Sequence, residues 1–234
     1  MRPQTIHSLL VSWLLLPACL LLTSCATAFN GVLPAPQTEQ ESEWHFARVV
    51  FEIAPTTGHV PSPIALETFR KRIHENKICH REHVVFMIRP EVVLDTFTGI
   101  WDIDALQKYE KERRVVFDPE PNDRELFVFV PYIAGVWRDP GGQIKHLGGI
   151  QYEDTAFAII SSGREREASV LLHEFGHLLG LVDESGTYAT PDADHDWHCD
   201  NERCAMYWSS PSGGADFDRA CKRELARLLE ARGK

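Results

Sequence analysis

Basic residues are the minority charge in this chain. Across 234 residues, 24 lysines and arginines stand against 34 aspartates and glutamates, a formal net charge of −10 with histidine neutral. That balance excludes a broad basic face and, with it, nucleic acid as an expected partner. The acidic excess itself argues for solubility and identifies no ligand. Long apolar runs are missing as well. The longest, Leu9 to Leu22, is broken by Ser12 and Pro17 and falls short of the ~20 apolar residues a membrane-spanning helix prefers. No internal repeat is present. Low complexity is confined to residues 26–43, and that stretch has no cysteine for a thiol-based latency device. Cysteine is scarce: six residues, two of them (Cys19 and Cys25) near the start. Asp192, Asp194 and Asp196 alternate like the start of a calcium loop, but Trp197 and Arg203 stand where an EF-hand needs glycine and glutamate. His80 and His83 beside Cys79 have no partner motif and read as a surface cluster. What remains is a chain of one domain's length, 44% hydrophobic and 25% charged, as in soluble globular proteins.

The first 24 residues read as a targeting segment, with Arg2 as its positive start. Leu22-Thr23-Ser24-Cys25 resembles a bacterial lipobox. That resemblance implies a lipoprotein signal peptide over 1–24, a lipidated Cys25 and an anchor in a bacterial cell membrane, with the domain outside the cytoplasm. Cys19 is the weaker candidate, because it shortens the apolar run. Residues 25–43, rich in Pro, Gln and Glu, read as a flexible tether, and the domain is expected over 44–234.

Within it, β-branched and aromatic runs predict strands at His45–Ile53, His83–Ile88, Val115–Phe117, Glu125–Tyr132 and Thr155–Ser161. Helical spacing of apolar residues predicts helices at Pro61–Asn76, Ile103–Arg113 and Asp216–Arg232. Gly141-Gly142 marks a turn, and Gly163 is expected to end the strand before it. Gly148 to Tyr152 suits an edge strand, because glycine weakens a strand interior. A further helix is expected from Arg164 or Glu165 to Leu179.

That last helix carries His173-Glu174-Phe175-Gly176-His177, followed by Gly180. Residues four apart on a helix share a face, with Cβ atoms about 5–6 Å apart, so both imidazoles reach one metal ion. Neutral imidazole suits zinc, and a catalytic zinc takes three protein ligands and keeps one position for water. Glu174 fits the general base toward that water. A merely structural helix needs only Val170, Leu171, Phe175, Leu178 and Leu179 as its packed face. Gly180 adopts positive φ at no steric cost, so it can end the helix and return the chain with a third ligand, for which Asp183 stands in register.

Downstream comes His198-Cys199, four residues, Cys204, one residue, Met206. With the helix motif, this set resembles the metzincin clan of zinc endopeptidases. The resemblance implies a zincin-like α+β fold: a mixed twisted sheet, an active-site helix, a Met-turn placing Met206 beneath the metal, and a C-terminal helix. Asp183 is similar to the third ligand of the snapalysin-like pattern. The His198-Cys199 step is similar to archaemetzincins. The chain departs from the latter in two ways. Seventeen residues, Leu181 to Trp197, separate Gly180 from His198, and only Cys221 stands where a Cys-x-x-Cys step of a four-cysteine structural zinc would fall. The third ligand is therefore Asp183 or His198, with His195 a distant third; the preference of zinc for nitrogen and sulfur tilts the choice to His198. In that case Asp183 orients a histidine or caps the helix. Tyr207 stands one residue early for the tyrosine that some metzincins use, and receives no role.

Four cysteines remain after export, and an oxidising compartment favours disulfides, with Cys199–Cys204 and Cys79–Cys221 as the expected pairing. The rival is a second, structural zinc held by Cys199, Cys204, Cys221 and a histidine. The expected function is a membrane-tethered zinc endopeptidase whose substrate pairs as an extended strand along Gly148–Tyr152. The alternatives are a non-catalytic zinc-containing envelope lipoprotein that binds a partner, and a cell-wall peptide amidase. An intact Glu174 argues against the first, because a closed structural site has no use for a base.

Overall fold

The structure, a computed structural model, describes residues 44–94, 99–116, 124–160, 166–182, 186–195, 197–208 and 216–232. The expected signal segment, Cys25, the tether, Phe117, Gly163, Asp183 and Asp196 lie outside the described residues.

The core is a five-stranded sheet in the order β2-β1-β4-β8-β7. Its strands are β1 (Arg48–Pro55), β2 (Val84–Ile88), β4 (Glu125–Tyr132), β7 (Gly149–Glu153) and β8 (Ala156–Ile159). The first four in that order run parallel, and β7 is antiparallel to β8, which makes the sheet mixed and leaves β7 on its edge. Central strands buried on both faces read as near-continuous apolar runs, as β1 (RVVFEIAP) and β4 (ELFVFVPY) do. Successive side chains point to opposite faces. Val49, Phe51 and Ile53 of β1 and Val128, Val130 and Tyr132 of β4 thus enter the larger core. Ala54 and Phe129 face a smaller one.

Three helices supply the larger core: α1 (Pro63–Glu75), α3 (Glu167–Leu178) and α4 (Arg219–Arg232). Ser62 caps α1, its hydroxyl accepting from the Ala65 N–H, with Pro63 pre-set for the first turn. Ala65, Leu66, Phe69 and Ile73 make its buried stripe. Phe69 and Phe51 both meet Phe175 of α3 edge-on, at ring distances of 5.7 and 5.2 Å. Truncating Phe51 would cost about 3–5 kcal/mol and loosen the seat of α3. On the other face lie α2 (Ile103–Arg113), capped by Asp102, and a small sheet of β3 (Ile100–Trp101), β5 (Val136–Arg138) and β6 (Ile144–Lys145). Leu106 and Tyr109 of α2 pack there with Trp101 and Trp137.

The strand expected at Val115 does not form. Val115 and Val116 donate their backbone N–H groups to the buried carboxylate of Glu52, at 3.0 and 2.8 Å, and these donors are lost to any ladder. Among the described residues, no helix is long and apolar enough to cross a membrane.

Candidate active site

Helix α3 is the floor of the site. Its start is fixed by buried Glu167, which accepts from the Tyr132 hydroxyl and from the Ser62 N–H, both at 2.9 Å, and so ties α3 to β4 and α1. Its end is a Schellman turn. Gly180, at φ 87°, donates to the His177 carbonyl, and Leu181 donates to the Gly176 carbonyl, both at 2.9 Å. Val182, a β-branched residue at φ 59°, continues the reversal in a conformation that costs energy and is held by its burial.

His173 and His177 project from one face of α3, and the turn around Trp197, itself at φ 68°, brings His198 to them. The ligand atoms of the three imidazoles all lie within 4.8 Å of one another. His173 donates Nδ1–H to the Ala205 carbonyl at 2.7 Å, which turns its Nε2 inward to 3.1 Å from Nε2 of His177. Tetrahedral zinc–nitrogen bonds of about 2.0–2.1 Å would set such atoms ~3.3 Å apart. Burial pushes His173 down to about 4 and His177 well below its ordinary value, with the charge of its neighbour His173 adding to the second. Both rings are therefore neutral near pH 7, with lone pairs on converging nitrogens. This donor set fits zinc.

Asp183, the other candidate, is outside the described residues, and His195 is not in the group. The His195 Nδ1 lies 3.3 Å from Asp192 Oδ1, and its ring stacks on Trp208.

Glu174 lies between this group and the edge strand. It is only 5% exposed, and burial pushes its carboxyl up to about 8, against a backbone hydrogen bond from Gln151 of β7. The fit depends on Gly149: a Cβ there would meet Glu174 Cγ at 2.7 Å and Oε1 at 2.9 Å. The expected edge strand is thus in place as β7, and its glycine admits the carboxylate. An open cleft of about 1880 Å³ is lined by Gly148–Gln151 together with His195, Trp197, His198, Tyr207 and Trp208.

Met206 is fully buried against α3, its thioether packed where Gly176 has no side chain. Its neighbour Ala205 supplies the carbonyl that orients His173. Sequence reasoning passed over both Gly176 and Ala205; a glycine in mid-helix, between the two histidines, was the available signal.

The expected disulfides are not formed: Cys79, Cys199, Cys204 and Cys221 are all free. Cys79 is bridged to Phe46 beside β1, apart from the other three, and burial pushes its thiol up to about 12. Cys204 and Cys221 have sulfurs 3.5 Å apart, beyond the ~2.05 Å of a bond. Instead, Cys199, Cys204, Cys221 and Asp218 bring their ligand atoms within 4.8 Å of one another. The fourth member is a carboxylate and not the histidine of the sequence reading. Asp218 caps α4, accepting from the Cys221 N–H at 2.8 Å with Oδ1, and its Oδ2 accepts from Asn201 at 2.8 Å. Burial alone would push its carboxyl up, but these hydrogen bonds hold it below the ordinary value. Thiol hydrogen bonds from Cys199 and Cys221, with backbone N–H groups of Asp218 and Met206, lower the Cys204 pKa. Three buried sulfurs and a partly buried carboxylate oxygen, centred on a favoured thiolate, fit a closed structural zinc site. In the sequence, Asp218 reads only as a helix-starting cap.

A mixed sheet with an edge strand beside the site, a histidine-bearing helix ended by a glycine turn, a buried methionine turn and a C-terminal helix define a zincin-like α+β fold. No family profile and no curated protein matches the sequence. Among solved structures, the chain is similar to archaemetzincin from Methanopyrus kandleri, with 17% identity over 79% of this chain and 97% of that one, at a TM-score of 0.52. It is also similar to metalloproteinase-II from Bacteroides fragilis, with 17% identity over 82% of this chain and 55% of that one, at a TM-score of 0.47. At such identities the likeness to archaemetzincin is one of fold.

Proposed function

We propose that this chain is a zinc-dependent peptidase, exported, held at a bacterial cell membrane by lipid on Cys25, and carrying its catalytic domain over 44–234 on a tether of residues 25–43. The observation that carries the reading is the position of Glu174, a buried carboxyl group flanked by converging neutral imidazoles and by the edge of a sheet. His173, His177 and His198 would hold the catalytic zinc, which supplies a Lewis acid for the peptide carbonyl and acidifies water at near-neutral pH. His198 is preferred to Asp183 as third ligand because its ring already meets the other two, at centroid distances of 5.2 Å.

The chain's own groups do the rest. Glu174 takes a proton from the attacking water and passes it to the departing amine. The backbone bond from Gln151 orients the carboxylate, and the Ala205 carbonyl fixes the tautomer of His173. Edge strand β7 pairs with an extended peptide through backbone hydrogen bonds, which hold substrate without reading its sequence. A second zinc on Cys199, Cys204, Cys221 and Asp218 would pin α4 to the methionine turn. The likeness to archaemetzincin supports the reading at the level of the fold.

The test is a mixed peptide library incubated with zinc-loaded protein starting after Cys25, with Glu174→Ala beside it, read by mass spectrometry. Cleavage by the wild type alone is expected. Equal cleavage by both proteins, or none by wild type shown to carry zinc, refutes the reading.

A further inference from the structure

Three aromatic side chains of the described chain are half in water, and two of them, Trp197 at 50% and Trp208 at 46% exposure, stand in the cleft. The tryptophans of the core, Trp101 and Trp137, are buried. An indole left exposed inside a concave site is unusual, because so large an apolar face gains most from being covered. Trp208 is also backed. The His195 ring lies flat against it, 3.7 Å between centroids and 10° between planes. His195 is in turn held by Asp192, whose Oδ1 takes the His195 N–H at 3.2 Å, the Asp194 N–H at 2.8 Å and lies 3.3 Å from the His195 Nδ1. The imidazole that looks like a spare metal ligand in the sequence is the support of an aromatic wall.

We propose that Trp208, backed by His195, forms a specificity subsite that selects a peptide with an aromatic side chain beside the bond to be cut. The inference rests on the peptidase reading of the same cleft. The wall lines the same cleft as edge strand β7, where an extended peptide would lie, and alternate side chains of such a peptide project out of its plane. A rigid flat π-face favours a second ring, offset-stacked or edge-on, over an aliphatic group of the same bulk. With the indole already held in place by His195, little side-chain freedom is lost when the partner ring arrives. His195 touches no reacting atom in this arrangement; it is a positioning residue.

The experiment compares peptides that differ at one position near the cut, Phe against Ala and Phe against Leu, using the zinc-loaded full chain. Trp208→Ala should lower kcat/KM for the Phe peptide roughly 10-fold and leave the Ala peptide within about twofold, the size expected of one aromatic contact and its buried area. His195→Ala should lose part of that preference and His195→Phe should restore it, with zinc content unchanged in both. Equal losses on all peptides, no loss on any, or loss of zinc in the His195 variants overturns the assignment. Binding of the same peptides to Glu174→Gln, followed by fluorescence anisotropy, separates the two readings. A Phe preference in binding that disappears on adding Trp208→Ala supports the subsite even if the wild type cleaves nothing. Cleavage without aromatic preference leaves the peptidase standing and removes the subsite.

Discussion

Replacing Gly176 by alanine sets two rules of protein chemistry against each other, and the structure decides between them. Glycine inside a helix costs roughly 0.5–1 kcal/mol relative to alanine, so on propensity alone Gly176→Ala in α3 would stabilise the protein. The new methyl, however, would land well inside contact distance of the Met206 sulfur, at 3.3 Å from its terminal carbon and 3.2 Å from Cε1 of Phe217. Both neighbours are buried and cannot swing into solvent. Overpacking of this kind costs about 1–3 kcal/mol, which leaves a net loss of up to about 2.5 kcal/mol. For a domain of this size that is a fall in Tm of up to roughly 10 °C. The site should suffer more than the fold. Moving Met206 moves Ala205, whose carbonyl is the acceptor for His173, and loss of such an outer partner weakens metal affinity about 10–100-fold. Urea unfolding of the metal-free protein and zinc competition with a chromogenic chelator measure the two effects. Adding Met206→Ala should give back part of the lost stability, because the extra methyl then fills space the thioether has left. A Gly176→Ala protein as stable as wild type, with unchanged zinc affinity, would refute the packing argument.

Gly149→Ala should abolish most activity with little change in zinc content, since its closest collisions are with Glu174 and the Ala158 carbonyl; peptide turnover beside metal analysis checks this. In metal-free protein the Glu174 carboxyl, pushed up to about 8, keeps its proton when folded and loses it when unfolded, so its contribution to stability is lost as pH rises through about 8. His173, pushed down to about 4, acts in the opposite sense, its contribution being lost as pH falls from about 6.5 toward 4. Stability of the chelator-treated protein should therefore fall by on the order of 2 kcal/mol between pH 6.5 and 8, and Glu174→Gln should flatten that slope. Asp218→Ala should release one of two bound zinc ions per chain and lower Tm, because it removes a ligand and the cap of α4 together; full retention of metal would exclude the second site.

How far the site was legible depended on whether its parts were close in sequence. His173, Glu174, His177 and Gly180 fall within two helical turns, where the period of the helix alone says which side chains share a face. The edge strand was legible because paired glycines stand at its start. His198 was not settled, because seventeen residues separate it from Gly180 and no periodicity spans such a loop. Asp218 was missed for a different reason. Its first duty, capping α4, is one that any helix-starting aspartate performs, and nothing local distinguishes a cap whose other oxygen faces three sulfurs. The strand expected at Val115 failed because a β-branched run says nothing about a buried carboxylate arriving from β1. The disulfides failed because compartment gives the odds of oxidation, whereas distance decides it, and Cys79 is not near the other three.

The peptide bond between His198 and Cys199 joins a ligand of one metal group to a ligand of the other. Both leave the ribosome together, after every strand of the main sheet and after α3, but before Asp218 and Cys221. A chain is made from its N-terminus, so every strand of the main sheet and two of the histidines have been synthesised while neither cluster is complete. Even His173 waits, since the Ala205 that orients it is itself held by an N–H bond to the Asp216 carbonyl at 2.9 Å. Architecture comes first in synthesis and chemical competence last.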